Sequence, residues 1–78
     1  MNVFGRVETR PEIMLGKPVI KGTRIPVELI VRKLGEGARV EDLLDAYPKL
    51  KKEDIQAALI YAADTLANEL TIYLDTGT

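Results

Sequence analysis

The side chains of this chain that could do chemistry are its lysines, arginines and carboxylates, because the sequence contains no histidine and no cysteine. The commonest general base, the commonest thiol nucleophile and most transition-metal sites are therefore excluded. The adjacent acids Glu41-Asp42 and Glu53-Asp54 could hold a hard cation. Both pairs fall at predicted helix starts, however, where acids stabilise the exposed N–H groups. We therefore expect neither catalysis nor a metal or other cofactor.

A glycine followed by a lysine, Gly16-Lys17, invites comparison with a nucleotide phosphate loop. Such a loop needs an upstream glycine and a Lys-Ser/Thr pair that opens a helix, so that backbone N–H groups surround the phosphate. Here Pro18 follows the lysine and removes a donor, no glycine stands five residues before Gly16, and the next segment is β-prone. These departures exclude a phosphate loop.

The charges are divided unequally along the chain, although the net charge is only −1. Residues 1–39 carry eight Lys/Arg against four acids, whereas residues 40–78 carry three lysines against eight acids. A polyanion would meet the first half and the lysine-rich corner at residues 49–52. Ordinary solvated surface charge explains the same counts equally well.

The elements are predicted from apolar spacing and from the positions of proline and glycine. A hairpin is expected around Gly22, and Pro26 is expected as the first residue of a helix whose apolar stripe includes Ile30. The predicted single domain has a β-rich front over residues 1–25, helices over residues 26–36, 40–47 and 52–70, and a tail over residues 71–78. Its fold class is mainly α, a trihelical bundle with a short N-terminal β strand and hairpin.

The third predicted helix is apolar on two faces. The inward face is predicted to carry Ile55, Ala58, Leu59, Ala62, Leu66 and Leu70. The candidate residues for a subunit or partner interface, on the other face and in the tail, are Ala57, Ile60, Tyr61, Ala67, Ile72 and Tyr73. A domain of 78 residues leaves much apolar surface in water, so we predict a homodimer. The alternative is that the N-terminal β segment covers this face.

The second and third helices are joined by the short corner Tyr47-Pro48-Lys49-Leu50, which is the pattern of a helix-turn-helix supported by the first helix. In such a unit the third helix enters the major groove of double-stranded DNA by its amino end. The candidate DNA-binding residues are Lys17, Lys21, Arg24, Lys49, Lys51, Lys52, Glu53 and Gln56.

The residue types at these positions suit DNA only in part. Lysines suit phosphate, Gln56 can pair with adenine, and Glu53 can accept from cytosine. Against this, Glu53 and Asp54 are repelled by the duplex backbone, and a trihelical unit can serve purely for assembly.

The chain resembles the small bacterial domain-of-unknown-function family 433 (DUF433), whose members carry G-x-P-x-I/V-x-G-T-R-I-P-V and then Y-P-x-L before an alanine-rich helix. The resemblance rests on PEIMLGKPVIKGTRIPVELIVRKLGEG and VEDLLDAYPKLKKEDIQAALIYAADTL, and covers roughly residues 8 to 68. It implies a homeodomain-like trihelical fold and an antitoxin, often encoded beside a nuclease-like toxin of the PIN type.

Two departures from the family pattern affect these expectations. Family members often place Ser or Thr before the second and third helices, where this chain has Arg39 and Lys51, so a cap worth about 1 kcal/mol is lost unless first-turn acids compensate. The predicted tail is also too short to wrap a toxin. A bound toxin would use the segment TIYL, the outer face of helix three or the β front.

Two functions from different classes are therefore predicted. The first is a dimeric, DNA-binding, antitoxin-like regulator of transcription in a toxin-antitoxin operon. The second is an assembly module that binds and inhibits a partner toxin without contacting nucleic acid. A cytoplasmic protein without a membrane association is expected, because no apolar run approaches spanning length and the first residues lack the blocks of a signal peptide.

Overall fold

The computed structural model describes the backbone of residues 5–77 and the side chains of residues 5–68. Its elements, in chain order, are β1 (Val7–Glu8), a 3₁₀ turn (Met14–Gly16), β2 (Val19–Ile20), α1 (Val27–Gly35), α2 (Val40–Ala46) and α3 (Lys52–Gly77). The predicted mainly helical, trihelical fold with a short N-terminal β element is confirmed. Within the described residues, no helix combines the length and the apolar character needed to cross a membrane.

In the β element, β2 lies between two other segments. β1 runs antiparallel to β2, with Val7 opposite Ile20. On its other side, the Ile20 N–H donates to the Ile25 carbonyl at 2.9 Å, and Val19 forms an isolated bridge with Pro26. The hairpin predicted around Gly22 therefore forms, and Gly22 has a φ of +79°. Its second arm forms a single bridge, closed by the Val27 N–H donating to the Pro18 carbonyl at 2.9 Å, and it goes no further because α1 begins at Val27.

Pro26 lies one residue outside α1. Its φ of −69° and ψ of 145° are extended, and Val27 is the first helical residue. The prediction that Pro26 opens the helix is therefore wrong by one position. The bridge between Pro26 and Val19 accounts for the difference, because it holds Pro26 in the β region while its fixed φ still suits the start of a helix.

α3 begins at Lys52 as predicted but ends later than predicted. It spans 26 residues to Gly77, so the helical end expected near residue 70 and the separate tail over residues 71–78 are wrong. The sequence contains no proline or glycine between Pro48 and Gly77, so nothing in the chain interrupts the backbone hydrogen bonds. The backbone of the β-prone segment TIYL is part of this helix, because strand propensity depends strongly on context.

The core lies where α1 packs across the amino-terminal half of α3. Ile20, Ile30 and Ile55 are fully buried there. Ala57 and Ala58 are also fully buried, and their small side chains let neighbouring backbone approach α3 closely. The sequence reading placed Ala57 at an interface and is wrong, since a residue buried within one chain cannot meet another.

A left-handed turn precedes β2. Met14, Leu15 and Gly16 have φ values of 50°, 57° and 83°, a region that costs a residue with a Cβ about 1 kcal/mol. The Gly16 N–H donates to the Ile13 carbonyl at 3.0 Å, and the Leu15 side chain is 95% exposed. Glycine is the residue type that favours a positive φ, as at Gly16, but the residue types of Met14 and Leu15 do not predict their positive φ values.

Candidate nucleic-acid interface

A depression of about 650 Å³ lies between the hairpin turn and the α2–α3 corner. Arg24 from the turn and Lys49 from the corner both line it, and Arg10 joins them from the segment after β1. The hairpin and the corner therefore meet on one side of the molecule. This arrangement brings together two of the cationic groups that the sequence singled out.

The turn that carries Arg24 is held by side-chain hydrogen bonds. The Thr23 hydroxyl donates to the Ile20 carbonyl at 2.7 Å and accepts from the Ile25 N–H at 3.0 Å. The Gly22 N–H donates to the Glu8 carboxylate at 3.1 Å. Arg24 is thus presented by a preorganised loop, which lowers the entropy lost when it binds a partner.

Thr23 and Glu8 have positioning roles that the sequence reading missed. A threonine next to a turn glycine is a recognised signal for such bonding, because its hydroxyl can satisfy nearby backbone groups. Glu8 comes from a different strand, and no local pattern could have identified it. Its carboxylate also offsets part of the positive charge around the depression.

The corner holds its lysines on the outside. Leu50 is buried, and its N–H donates to the Tyr47 carbonyl at 2.9 Å. This anchor leaves Lys49, Lys51 and Lys52 exposed at the amino end of α3. None of the three forms an ion pair with a described residue, so each is available to a phosphate.

Aspartates cap α2 and α3, which have Arg39 and Lys51 where a Ser or Thr cap would stand. The Asp42 carboxylate accepts the Arg39 N–H at 2.8 Å at the start of α2. At the start of α3 the Asp54 carboxylate accepts the Lys51 N–H at 3.0 Å. The capping explanation for the acidic pairs is therefore confirmed, and the acids compensate for the departure from the family pattern.

Asp54 has a second partner that the sequence did not indicate. Its Oδ1 accepts from the Arg6 guanidinium at 2.9 Å, while only 7% of the residue is exposed. This contact ties the segment before β1 to the first turn of α3. Because Asp54 is occupied by Arg6 and by a backbone N–H, it adds little unpaired negative charge to the exposed lysines nearby.

Lys17 does not join the candidate interface. Its Nζ lies 2.6 Å from Glu28 Oε1 on α1, beside a second depression between α1 and α3. Lys21 is exposed in the hairpin turn, and Glu53 and Gln56 are exposed on the first turns of α3. Among the eight predicted DNA-binding residues, therefore, Arg24 and Lys49 are the two that line the shared depression.

The Lys17–Glu28 contact predicts a measurable change in titration. The hydrogen bond from Lys17 and its positive charge lower the pKa of Glu28 from 4.5. We expect the Glu28 pKa measured by NMR to lie below this value in the wild type and to rise towards it in Lys17→Ala. The small stabilisation from this pair is present above the unfolded pKa of Glu28 and is lost as the pH falls through the lowered folded pKa. Equal Glu28 midpoints in the two proteins would contradict the contact.

The predicted interface residues are separated by the structure. Ile60 and Ala67 are exposed on α3, whereas Tyr61 is half-buried and packs against the core. Leu59 and Leu66, which were predicted to face inward, are 42% and 56% exposed. Ile55 and Ala58 are buried as predicted, but Ala57 is buried in place of Leu59 and Leu66, because α1 and β1 both pack on α3 and meet that side of the helix. The side chains of Ile72 and Tyr73 lie outside those that the structure describes.

Comparisons with known proteins agree on one family. A sequence profile of DUF433, described as a protein of unknown function, matches residues 7–62. The uncharacterised protein y4eO of Sinorhizobium fredii (strain NBRC 101917 / NGR234) is 43% identical over 56 residues, which are 72% of this chain and 25% of that protein. The chain therefore spans about a quarter of the length of this relative.

A solved structure shares the fold. The crystal structure of a DUF433 member protein from Anabaena variabilis ATCC 29413 superposes with a TM-score of 0.77 and is 33% identical in sequence. The similarity covers 82% of this chain and 63% of that chain.

Proposed function

This chain belongs to DUF433, a family whose function is unknown, and from that premise we propose that it is a DNA-binding, antitoxin-like regulator of transcription. It acts in the cytoplasm by binding rather than by catalysis. The observation that carries the proposal is the meeting of Arg24 and Lys49 around one depression beside the amino end of α3.

The phosphate contacts follow from the positions of these cations. Arg24 offers a planar fork that suits phosphate oxygens, and Lys49 offers a compact charge on a flexible stem. Lys51 and Lys52 extend the cationic surface along the start of α3. A duplex whose backbone runs from the hairpin turn to the corner would meet positive charge along this whole edge.

Base reading falls to the exposed face of the first turns of α3. Gln56 lies one turn beyond Lys52, and its amide can make two hydrogen bonds to adenine in the major groove. Glu53 can accept from cytosine. The buried Ala57 takes no part, so a short set of side chains must carry sequence preference.

The proposal is tested by measuring binding to a duplex from the chain's own promoter over a salt series. We expect log affinity to fall linearly with log salt concentration. Replacing both Arg24 and Lys49 by alanine should weaken binding by about tenfold or more and reduce the salt slope by about two, because each lost phosphate contact removes about 0.9 from the slope.

Lys33→Ala is the matched control. Lys33 is an exposed cation on α1 whose Nζ lies 4.0 Å from Glu36, and it does not line the depression. This variant should keep the wild-type slope. The proposal would be rejected if the chain does not bind the duplex at low salt, or if its affinity does not change with salt concentration. An equal loss of slope in Lys33→Ala and in the double variant would remove Arg24 and Lys49 from the interface.

A second candidate function rests on the second depression. It measures about 410 Å³, lies between α1 and α3, and is lined mainly by apolar side chains, including Val31, Tyr61 and Leu66. Such a surface suits an apolar segment of a PIN-like toxin, which the chain would bind and inhibit without nucleic acid.

Co-expression with the product of the neighbouring gene separates the two functions. A stable complex from a chain that does not bind DNA favours the second, and failure to co-purify counts against it.

A further inference from the structure

The face of α3 opposite the core carries an exposed apolar strip. We call it the outer strip, and it consists of Leu59, Ile60, Ala63, Leu66 and Ala67. Its three large members, Leu59, Ile60 and Leu66, are between 40% and 56% exposed. At 100° per residue, the middle of the strip lies opposite the buried residues Asp54 and Ala58, while the buried Ile55 lies beside the edge formed by Leu59 and Leu66.

A helix that is apolar on two opposite faces needs a partner on the second face. A surface helix of a single domain normally has a polar face towards water. Clustered exposed apolar side chains mark interaction sites more often than isolated ones do. No described residue packs over Leu59 or Leu66 closely enough to bury it.

We propose that the outer strip binds the outer strip of a second copy of this chain, with the two α3 helices antiparallel. The spacing of the strip is the first reason. Its gaps of one, three, three and one residues read the same in both directions. In an antiparallel pair each apolar position can therefore face an apolar position, with leucine or isoleucine from one chain beside alanine or leucine of the other.

The sequence beyond the described side chains continues the apolar spacing of the strip. Leu70, Tyr73 and Leu74 continue the gaps of three, three and one. The backbone is helical through this region, since α3 extends to Gly77. Within this series, Leu59, Ala63, Leu66, Leu70 and Tyr73 are separated alternately by four and three residues. This is the spacing with which two helices pack the side chains of one into the holes of the other.

Charge decides between the antiparallel and the parallel arrangement. No lysine or arginine follows Lys52, whereas Asp64, Glu69 and Asp75 do. A parallel pair would set each of these acids beside its own copy, and like charges at close range are destabilising. An antiparallel pair moves Glu69 and Asp75 away from their own copies, although Asp64 stays near the two-fold axis, and it also opposes the two helix dipoles.

The oligomeric state of the 78-residue chain tests the association, which does not rest on DNA binding. Sedimentation equilibrium should give a mass that rises with concentration towards about twice the 8.7 kDa of one chain. Ala63→Glu puts a charge at the centre of the strip and should raise the dimer dissociation constant at least about tenfold. Asn68→Glu adds the same charge at an exposed position off the strip and should leave the constant unchanged. A mass that stays at one chain, or equal effects of the two variants, would overturn the proposal.

Single cysteines test the orientation, because the native chain contains none. In an antiparallel pair, only positions near the two-fold axis come within disulfide range of their own copy. We expect Ala63→Cys, at the centre of the strip, to form a linked dimer under mild oxidation. Leu59→Cys, at the end of the strip, should react no faster than the off-strip control Asn68→Cys. Rapid linkage of Leu59→Cys would show a parallel pair and overturn the antiparallel arrangement.

Discussion

An Ile30→Ala variant will lose about 3–4 kcal/mol of unfolding free energy. Ile30 is fully buried in α1, where that helix packs against α3. Removing three carbon atoms at such a site forfeits their transfer free energy and leaves a cavity that the surroundings fill only in part. A domain of this size is stable by only about 4–12 kcal/mol, so the loss is a large fraction of the total. Urea denaturation followed by far-UV circular dichroism measures it, at one protein concentration because association would add to stability.

Two controls separate packing from nonspecific damage. Ile30→Val removes one methylene from the same site and should lose about 1 kcal/mol. Leu15→Ala shortens a side chain that is 95% exposed and should change stability by less than about 0.5 kcal/mol. A loss below about 1 kcal/mol in Ile30→Ala would show that the α1–α3 contact does not carry the core.

An Asp54→Ala variant will lose about 2–3 kcal/mol. The substitution removes the acceptor of the Lys51 N–H, a cap worth about 1 kcal/mol, and leaves the Arg6 guanidinium without its partner. Because the carboxylate is nearly buried, its ion pair is shielded from water more than a surface pair. Arg6 itself is about a third exposed, which lets water satisfy it in part and keeps the expected loss below that of a fully buried pair.

Asp42→Ala is the matched control. Asp42 makes the same kind of cap, to the Arg39 N–H at 2.8 Å, but it is exposed and forms no ion pair with a described residue. Its removal should therefore lose only about 0.5–1 kcal/mol. A double-mutant cycle of Arg6→Ala and Asp54→Ala isolates the ion pair. If the coupling energy between Arg6 and Asp54 is near zero, and Asp54→Ala and Asp42→Ala lose equal free energies of unfolding, then Asp54 acts only as a helix cap and the ion pair contributes nothing to stability.

The Arg6–Asp54 pair also bears on the proposed interface. It joins the segment before β1 to the first turn of α3, where Lys51 and Lys52 lie exposed. β1 in turn pairs with β2, which leads into the turn that presents Arg24. If the pair is broken, the hairpin turn and the corner should lose their fixed relation, so DNA affinity should fall in Asp54→Ala more than in Asp42→Ala.

Local signals predicted the elements of the fold well. Proline and glycine marked the hairpin, the starts of α2 and α3 followed the apolar spacing, and adjacent acids marked both helix starts. These features depend on a few neighbouring residues, which a single sequence displays. The end of α3 was not predicted, because the β-prone TIYL gave a local preference that the helical backbone overrides.

The faces of α3 and the partners of charged groups could not be predicted in the same way. Apolar spacing showed that α3 has two apolar faces, but it did not show which one meets α1 and which meets water. For this reason Ala57 was predicted to lie at an interface but is buried, and Leu59 was predicted to face inward but is exposed. Lys17 was grouped with the DNA-binding cations, yet it pairs with Glu28 on another side of the molecule.

The sequence by itself determined that this is a small, mainly helical chain with a helix-turn-helix pattern, a glycine turn and no histidine or cysteine chemistry. It also determined the two-faced character of α3, because the period of a helix is a local property. Only the tertiary structure decided that Arg24 and Lys49 share a depression, that Arg6 holds Asp54, and that Leu59 and Leu66 remain exposed. Contacts between residues far apart in the chain depend on how the elements pack, and a list of neighbours along the sequence does not contain that information.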